Sequence, residues 1–154
     1  MNDTTEFWAV LEGDDATHEQ NAELLGEVLA CARRTRQQQA EPVEVCAILL
    51  RAPEAELPSL AGLRGVQRLY LHEHQELKYY TTGAYVEALR WLLSIRRPPT
   101  LIALSAAANG RDLAARLATR LRLPLAPNCL SLDIRSDAIF ALQALYEGRA
   151  YAQT

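Results

Sequence analysis

LIALSAAANGRDLAARLATRLR, residues 101–122, holds the change of period on which the fold turns. The apolar run 101–104 reads as a short buried strand. Small residues and an Asn-Gly turn follow, and then a helix. Asn109 is a candidate helix cap, and Asp112, three residues on, lies near the positive end of the helix dipole. Leu113, Ala114, Leu117, Ala118 and Leu121 share one apolar face, with Arg116, Thr119 and Arg120 off it. Asp112 and Arg116 are spaced for an i,i+4 ion pair. A strand that feeds a tight turn and a helix forms a cradle at the carboxyl end of a sheet, where backbone N–H groups suit a phosphate or another anion. Ala108, Asn109, Gly110, Arg111 and Asp112 are the candidate residues of that cradle. The same pattern also describes an ordinary strand-to-helix turn that binds nothing.

Upstream, EFWAVLE (6–12) reads as a first strand, closed by Gly13-Asp14-Asp15. Thr17 and Gln20 form a capping box for a helix running to about Gln38, with a stripe of Ala22, Leu25, Val28, Leu29 and Ala32. Arg33, Arg34 and Arg36 cluster in its last turns, as cations at a solvated helix end do. VEVCAILL (43–50) is too continuously apolar for an edge strand with one wet face, so it is read as central and parallel. Pro53 and Pro58 bound a connector with room for a short helix at 57–63, and VQRLYL (66–71) is a third strand.

Thr81 or Thr82 starts a helix to about Ile95. Tyr85, Leu89 and Leu92 form one stripe, and Ala84, Ala88, Trp91 and Ile95 a neighbouring one, a broad apolar surface that implies a core on one side and a partner on the other. Pro98-Pro99 stops it. Pro124 and Pro127 close the next helix, and 129–134 alternates as a half-exposed strand. Pattern alone leaves 137–146 open between a capped helix and a strand that turns at Glu147-Gly148 and returns through Ala150 and Tyr151.

With 154 residues, 49% of them hydrophobic, the chain is expected to form one domain, 1–154, with a proper core. A formal net charge of −3 argues against bulk nucleic-acid binding. No apolar run approaches the roughly 20 residues of a membrane span. The start, MNDTTEF, does not read as a secretory signal. Cys31, Cys46 and Cys129 are odd in number and far apart, which fits thiols in a reducing cytoplasm. His72-Glu73-His74 lacks the spacing of a zinc-protease motif and a visible third ligand, so it is read as a polar strand end. No nucleophile elbow and no Cys–His pairing appear.

The segment Ala106 to Leu121 resembles the signature of the electron transfer flavoprotein alpha subunit, in its amino-terminal domain. Asn109, Gly110, Arg111, Asp112, Leu113, Ala114 and Arg116 match, while Ala115 stands where that family prefers proline and Ala106 or Ala107 where it prefers threonine. Glu12 matches a strand-ending glutamate, Gly65, Val66 and Tyr70 match a glycine turn before a strand, and Tyr146, Gly148 and Ala150 match a carboxyl-terminal hairpin. Gln143 replaces a family arginine there, and Glu147 a glycine.

The resemblance implies an α/β fold: a three-layer α/β/α arrangement with a mainly parallel sheet, like adenine nucleotide alpha hydrolases, ending in a β-hairpin. It implies a non-catalytic scaffold for flavin-mediated electron transfer, paired with a beta-like subunit and serving flavin-dependent dehydrogenases indirectly. FAD is expected only in a complex or with a second domain, since most FAD contacts of the family lie in a domain beyond the equivalent of Thr154. The nucleotide pocket that beta subunits use for AMP is generally unused in alpha subunits. The alternative is a stand-alone AMP- or ATP-sensing module of the universal stress protein type. Tyr85, Trp91, Ile95, Phe140 and Leu142 are the apolar residues expected to meet a partner.

Overall fold

The computed structural model describes residues 4–13, 18–55, 57, 63–135, 138–145 and 150–153. In chain order these form β1 (Thr5–Glu12), α1 (His18–Gln39), β2 (Val43–Arg51), β3 (Arg68–Glu73), α2 (Thr82–Ile95), β4 (Leu101–Ala103), α3 (Ala108–Leu121), β5 (Cys129–Arg135), β6 (Ala138–Leu145) and β7 (Ala150–Gln153). A single 3-10 turn, Gln75–Leu77, lies between β3 and α2.

Four strands make an all-parallel sheet in the order β3-β2-β1-β4, with Phe7 beside both Val45 and Leu101. β2 is central, as its unbroken apolar run requires, because both its faces are covered. Alternation assigns each side chain its layer. Trp8, Val10, Cys46, Ile48 and Leu50 face α2 and α3, where Tyr85, Leu89, Leu92, Leu113 and Leu117 complete the core. Phe7, Ala9, Leu11, Val45, Ala47 and Leu49 face α1 through Leu25, Val28, Cys31 and Ala32. This is the expected three-layer arrangement.

The chain then adds a small antiparallel sheet, β5-β6-β7, whose last two strands are the expected hairpin. Its turn, 146–149, lies outside the described residues. The small sheet is fastened to α1. Ile134 is buried in the α1 core, Arg34 Nη2 donates to the Leu132 carbonyl at 2.7 Å, and Gln39 Nε2 donates to the Ile134 carbonyl at 2.9 Å. Arg36 likewise donates to the Val43 carbonyl. The basic end of α1 is therefore a set of ties, with Arg33 alone of the three exposed.

Several local expectations change. Ala22 is exposed, and Cys31 and Thr35 extend the α1 stripe, Thr35 by donating its hydroxyl to the Cys31 carbonyl at 3.0 Å. Thr17 of the capping box and residues 58–62 of the short helix lie outside the described residues. β3 starts at Arg68 because Gly65, at φ 87°, turns the chain through Val66 and Gln67 first. Arg122 ends α3 in the left-handed conformation, φ 56°, two residues before Pro124. Tyr85 belongs to the core, and Phe140 is half-buried beneath the Arg135 guanidinium, so the exposed part of the expected apolar surface is Trp91 and Ile95. No helix among the described residues is long and apolar enough to cross a membrane.

Candidate functional site

The strand order reverses at β1. From β1 the chain steps outward to β2 and β3, then returns to β4 on the other side of β1. α1 and α3 thus leave the adjacent ends of β1 and β4 on opposite faces of the sheet, opening the crevice in which open α/β sheets bind ligands. Glu12 and Gly13 form one side of it, and the run from Leu104 to Gly110 the other.

The five cradle residues do not act as one group. Asn109 is not the cap: Ala107 holds that position in extended geometry, and the Ser105 hydroxyl accepts from the Ala107 N–H at 3.1 Å. Ala108 is the first helical residue and is exposed. Asn109 turns its amide across the crevice instead, and Nδ2 donates to Glu12 Oε2 at 2.9 Å. From the α1 side, Asn21 accepts from the Glu12 N–H at 3.2 Å and donates to its carbonyl at 2.8 Å. Glu12 is held from both flanking helices.

Gly110 is buried, and a Cβ there would lie 2.0 Å from the Ser105 carbonyl oxygen. The missing side chain lets α3 rest directly on the end of β4. Arg111 is exposed at the rim. Asp112 lies beyond the first turn of α3 and caps nothing. Its carboxylate accepts from the Thr82 hydroxyl and, at 2.9 Å, from Tyr80 OH, and meets Arg116 at 4.0 Å. These hydrogen bonds, with Arg116 adding a smaller part, hold its pKa below the usual carboxylate range. Tyr80 is pushed up to about 12, chiefly by burial, with Asp112 adding to the shift, so its OH stays a donor.

Beside Gly13, at the end of β2, Arg51 is buried at 7% exposure. It pairs with Glu73 at 2.7 Å and donates to the Pro53 carbonyl at 2.9 Å, while its Nη1 is buried without a partner. A Cβ on Gly13 would lie 2.8 Å from Arg51 Cβ.

Among the described residues, the side chains of the crevice do not form a phosphate site for a flavin or adenine nucleotide. The Glu12 carboxylate occupies the crevice, Ser105 and Asn109 spend their side chains on the protein itself, and the space at Gly110 is taken by backbone. Nor is a metal centre present among the described residues: no group of three His, Cys, Asp or Glu could hold an ion. His72 lies against Trp91 with ring centroids 4.9 Å apart and the planes tilted by 42°, and His74 Nδ1 accepts from the Glu76 N–H to cap the 3-10 turn. Sequence reasoning singled out Glu12 as a strand end but missed Asn21, Tyr80 and Arg51, whose partners are set only by tertiary packing.

The family model described as "Electron transfer flavoprotein domain" matches residues 14–154. The electron transfer flavoprotein subunit alpha of Syntrophomonas wolfei is 31% identical over 111 residues, covering 71% of this chain and 34% of that protein. The acryloyl-CoA reductase electron transfer subunit beta of Anaerotignum propionicum is 37% identical over 87 residues, 56% of this chain and 23% of that protein. The electron transfer flavoprotein subunit alpha of Thermoanaerobacterium thermosaccharolyticum is 29% identical over 142 residues, 90% of this chain and 40% of that protein. The chain spans 23% to 40% of the length of these relatives.

Proposed function

Because the chain belongs to the electron transfer flavoprotein domain family, in its alpha-subunit type, we propose that it is a non-catalytic scaffold for flavin-mediated electron transfer, working against a beta-like subunit. The observation that carries the scaffold reading is the Glu12–Asn109 hydrogen bond, which spends the switch-point crevice on joining β1 to α3. A carboxylate at that point supports a chain that holds neither AMP nor FAD by itself. FAD is then supplied by a flavin-binding domain or subunit outside residues 1–154, and the chain passes no electron through a centre of its own. Its three cysteines, none paired, support a place in a reducing cytoplasm.

The test is to express the chain alone and together with a beta-like electron transfer flavoprotein subunit, and to measure elution volume and visible absorbance. The chain alone is expected to be colourless, and the pair to co-elute. A stoichiometric flavin band in the lone chain, or a lone chain that ignores every such subunit at micromolar concentration, overturns the reading.

A further inference from the structure

We propose that the free edge of β4 is a docking slot for an extended, apolar, cation-bearing segment of a partner protein, which adds there as a fifth strand of the parallel sheet. The first observation is the backbone. β4 stands at one end of the strand order and pairs with β1 alone. The Thr100 N–H donates to the Glu6 carbonyl at 3.0 Å, so it points toward β1. Successive peptide groups of a strand point to opposite edges, so the N–H and C=O groups of Leu101 and Ala103 point away from β1, where no described strand meets them. Residues of β5 lie across the groove beside this edge but do not supply the partner. β5 pairs with β6, and its Leu132 and Ile134 carbonyls are taken by Arg34 and Gln39.

The second observation is the groove itself, a cavity of about 690 Å³ along the β4 edge. Leu24 and Val28 of α1 line one wall, and Ala114 and Leu117 of α3 line the other. The segment 123–132 and the small sheet close the far side. Leu123, Leu125, Leu130 and Ile139 converge on it, and each is between 42% and 50% exposed. A strand placed here is covered on both faces, as β2 is, and needs apolar side chains at successive positions. A hydrocarbon ligand would cover the walls and leave the peptide groups of Leu101 and Ala103 without partners. A second backbone satisfies both.

Charge adds the third requirement. Glu23 and Glu27, one turn apart on α1, both line the groove and are exposed, and neither forms an ion pair among the described residues. Like charges at this spacing repel. Arg111 is the one cation among the described lining residues, so the groove keeps a net negative charge that a Lys or Arg on the incoming strand offsets. A second copy of the chain does not fit these terms. All seven described strands already lie in sheets, so a copy has no loose strand to lay between α1 and α3. The slot lies on the side of β4 away from β1, apart from the switch-point crevice, and its test involves no flavin.

The probe is a synthetic peptide of alternating valine and isoleucine with a lysine at each end, titrated into the full chain and followed by NMR. We expect it to shift the Leu101 and Ala103 amides and to slow their hydrogen exchange, while the Thr100 amide, bonded to β1, is protected with or without peptide. The same peptide N-methylated at alternate nitrogens keeps its side chains and loses the donors of one edge, and should bind about tenfold more weakly. The double variant Glu23→Lys, Glu27→Lys should also lose about tenfold, while Glu41→Lys, beyond the end of α1, should not. All three positions are exposed, so these variants should fold, and a far-UV spectrum checks that. The proposal is overturned by an absence of binding, by binding that leaves the Leu101 and Ala103 amides unprotected, or by equal affinity of the N-methylated peptide, which would make the groove a pocket for apolar groups alone. Equal loss in Glu41→Lys overturns it, as does self-association that protects the two amides. So does their protection in the monomer without peptide, which would mean that the chain fills the slot itself.

Discussion

At the scale of single residues, Gly110 has the least freedom. Its absent Cβ would fall 2.0 Å from one backbone atom and 2.8 Å from another, both of Ser105. A backbone cannot swing aside as a side-chain tip can, so Gly110→Ala must push α3 off the end of β4. We expect a loss on the order of 1–3 kcal/mol in urea unfolding. A second residue gives a pH signature. Burial, and secondarily the charge of His74, lower the His72 pKa below its usual 6.5. The unfolded chain therefore takes up this proton before the folded one does. Stability from His72 is complete above about pH 6.5 and is lost as the pH falls from there through the folded pKa. Unfolding midpoints measured across that window should fall in the wild type and fall less in His72→Asn. An equal fall in both would assign the slope to other groups.

Among the elements, α1 carries the most connections. It covers one face of the parallel sheet and anchors the small sheet through Ile134 and the Arg34 and Gln39 bonds. Ile134 is 4% exposed, so Ile134→Ala should cost about 2–5 kcal/mol by leaving a cavity between α1 and β5. Hydrogen exchange should then speed in β5 and β6 before it does in β2. Uniform acceleration would mean that the two sheets unfold as one unit. These elements also show what a sequence discloses. α2 was legible from its 3.6-residue period, its starting threonines and Pro98-Pro99, all local signals, and β2 from its unbroken apolar run. The alternation in β5 showed that one face is covered but not that α1 covers it. The role of Asn109 was beyond local reading, since its partner Glu12 is 97 residues away. An Asn before a helical pattern reads as a cap, and here tertiary pairing overrides that preference.

Over the whole molecule, the carboxyl end of the parallel sheet is joined by the protein's own polar groups. Asn109 and Asn21 hold Glu12 at β1, and the Arg51–Glu73 pair joins β2 to β3. Ser105 closes the end of β4 on Ala107. This is the edge at which an open α/β sheet receives a nucleotide. Among the described side chains there, Arg51 Nη1 is a buried donor without a partner, but it is closed to solvent and reaching it requires opening the contact with Glu73. An incoming phosphate must also approach the Glu12 carboxylate in surroundings less screening than water. From these costs we expect AMP and ATP to bind no tighter than about 100 μM, or roughly −5.5 kcal/mol. Calorimetric titration of either nucleotide into the chain should show no saturable heat in the low-micromolar range. The informative variant is Arg51→Met, which removes that donor while keeping an apolar stem in place; it leaves Glu73 unpaired, but at 38% exposure that carboxylate can turn to water, and a far-UV spectrum checks the fold. A low-micromolar saturable heat in the wild type that disappears in Arg51→Met would show the edge to be a nucleotide site, and the scaffold reading would give way to a nucleotide-sensing one.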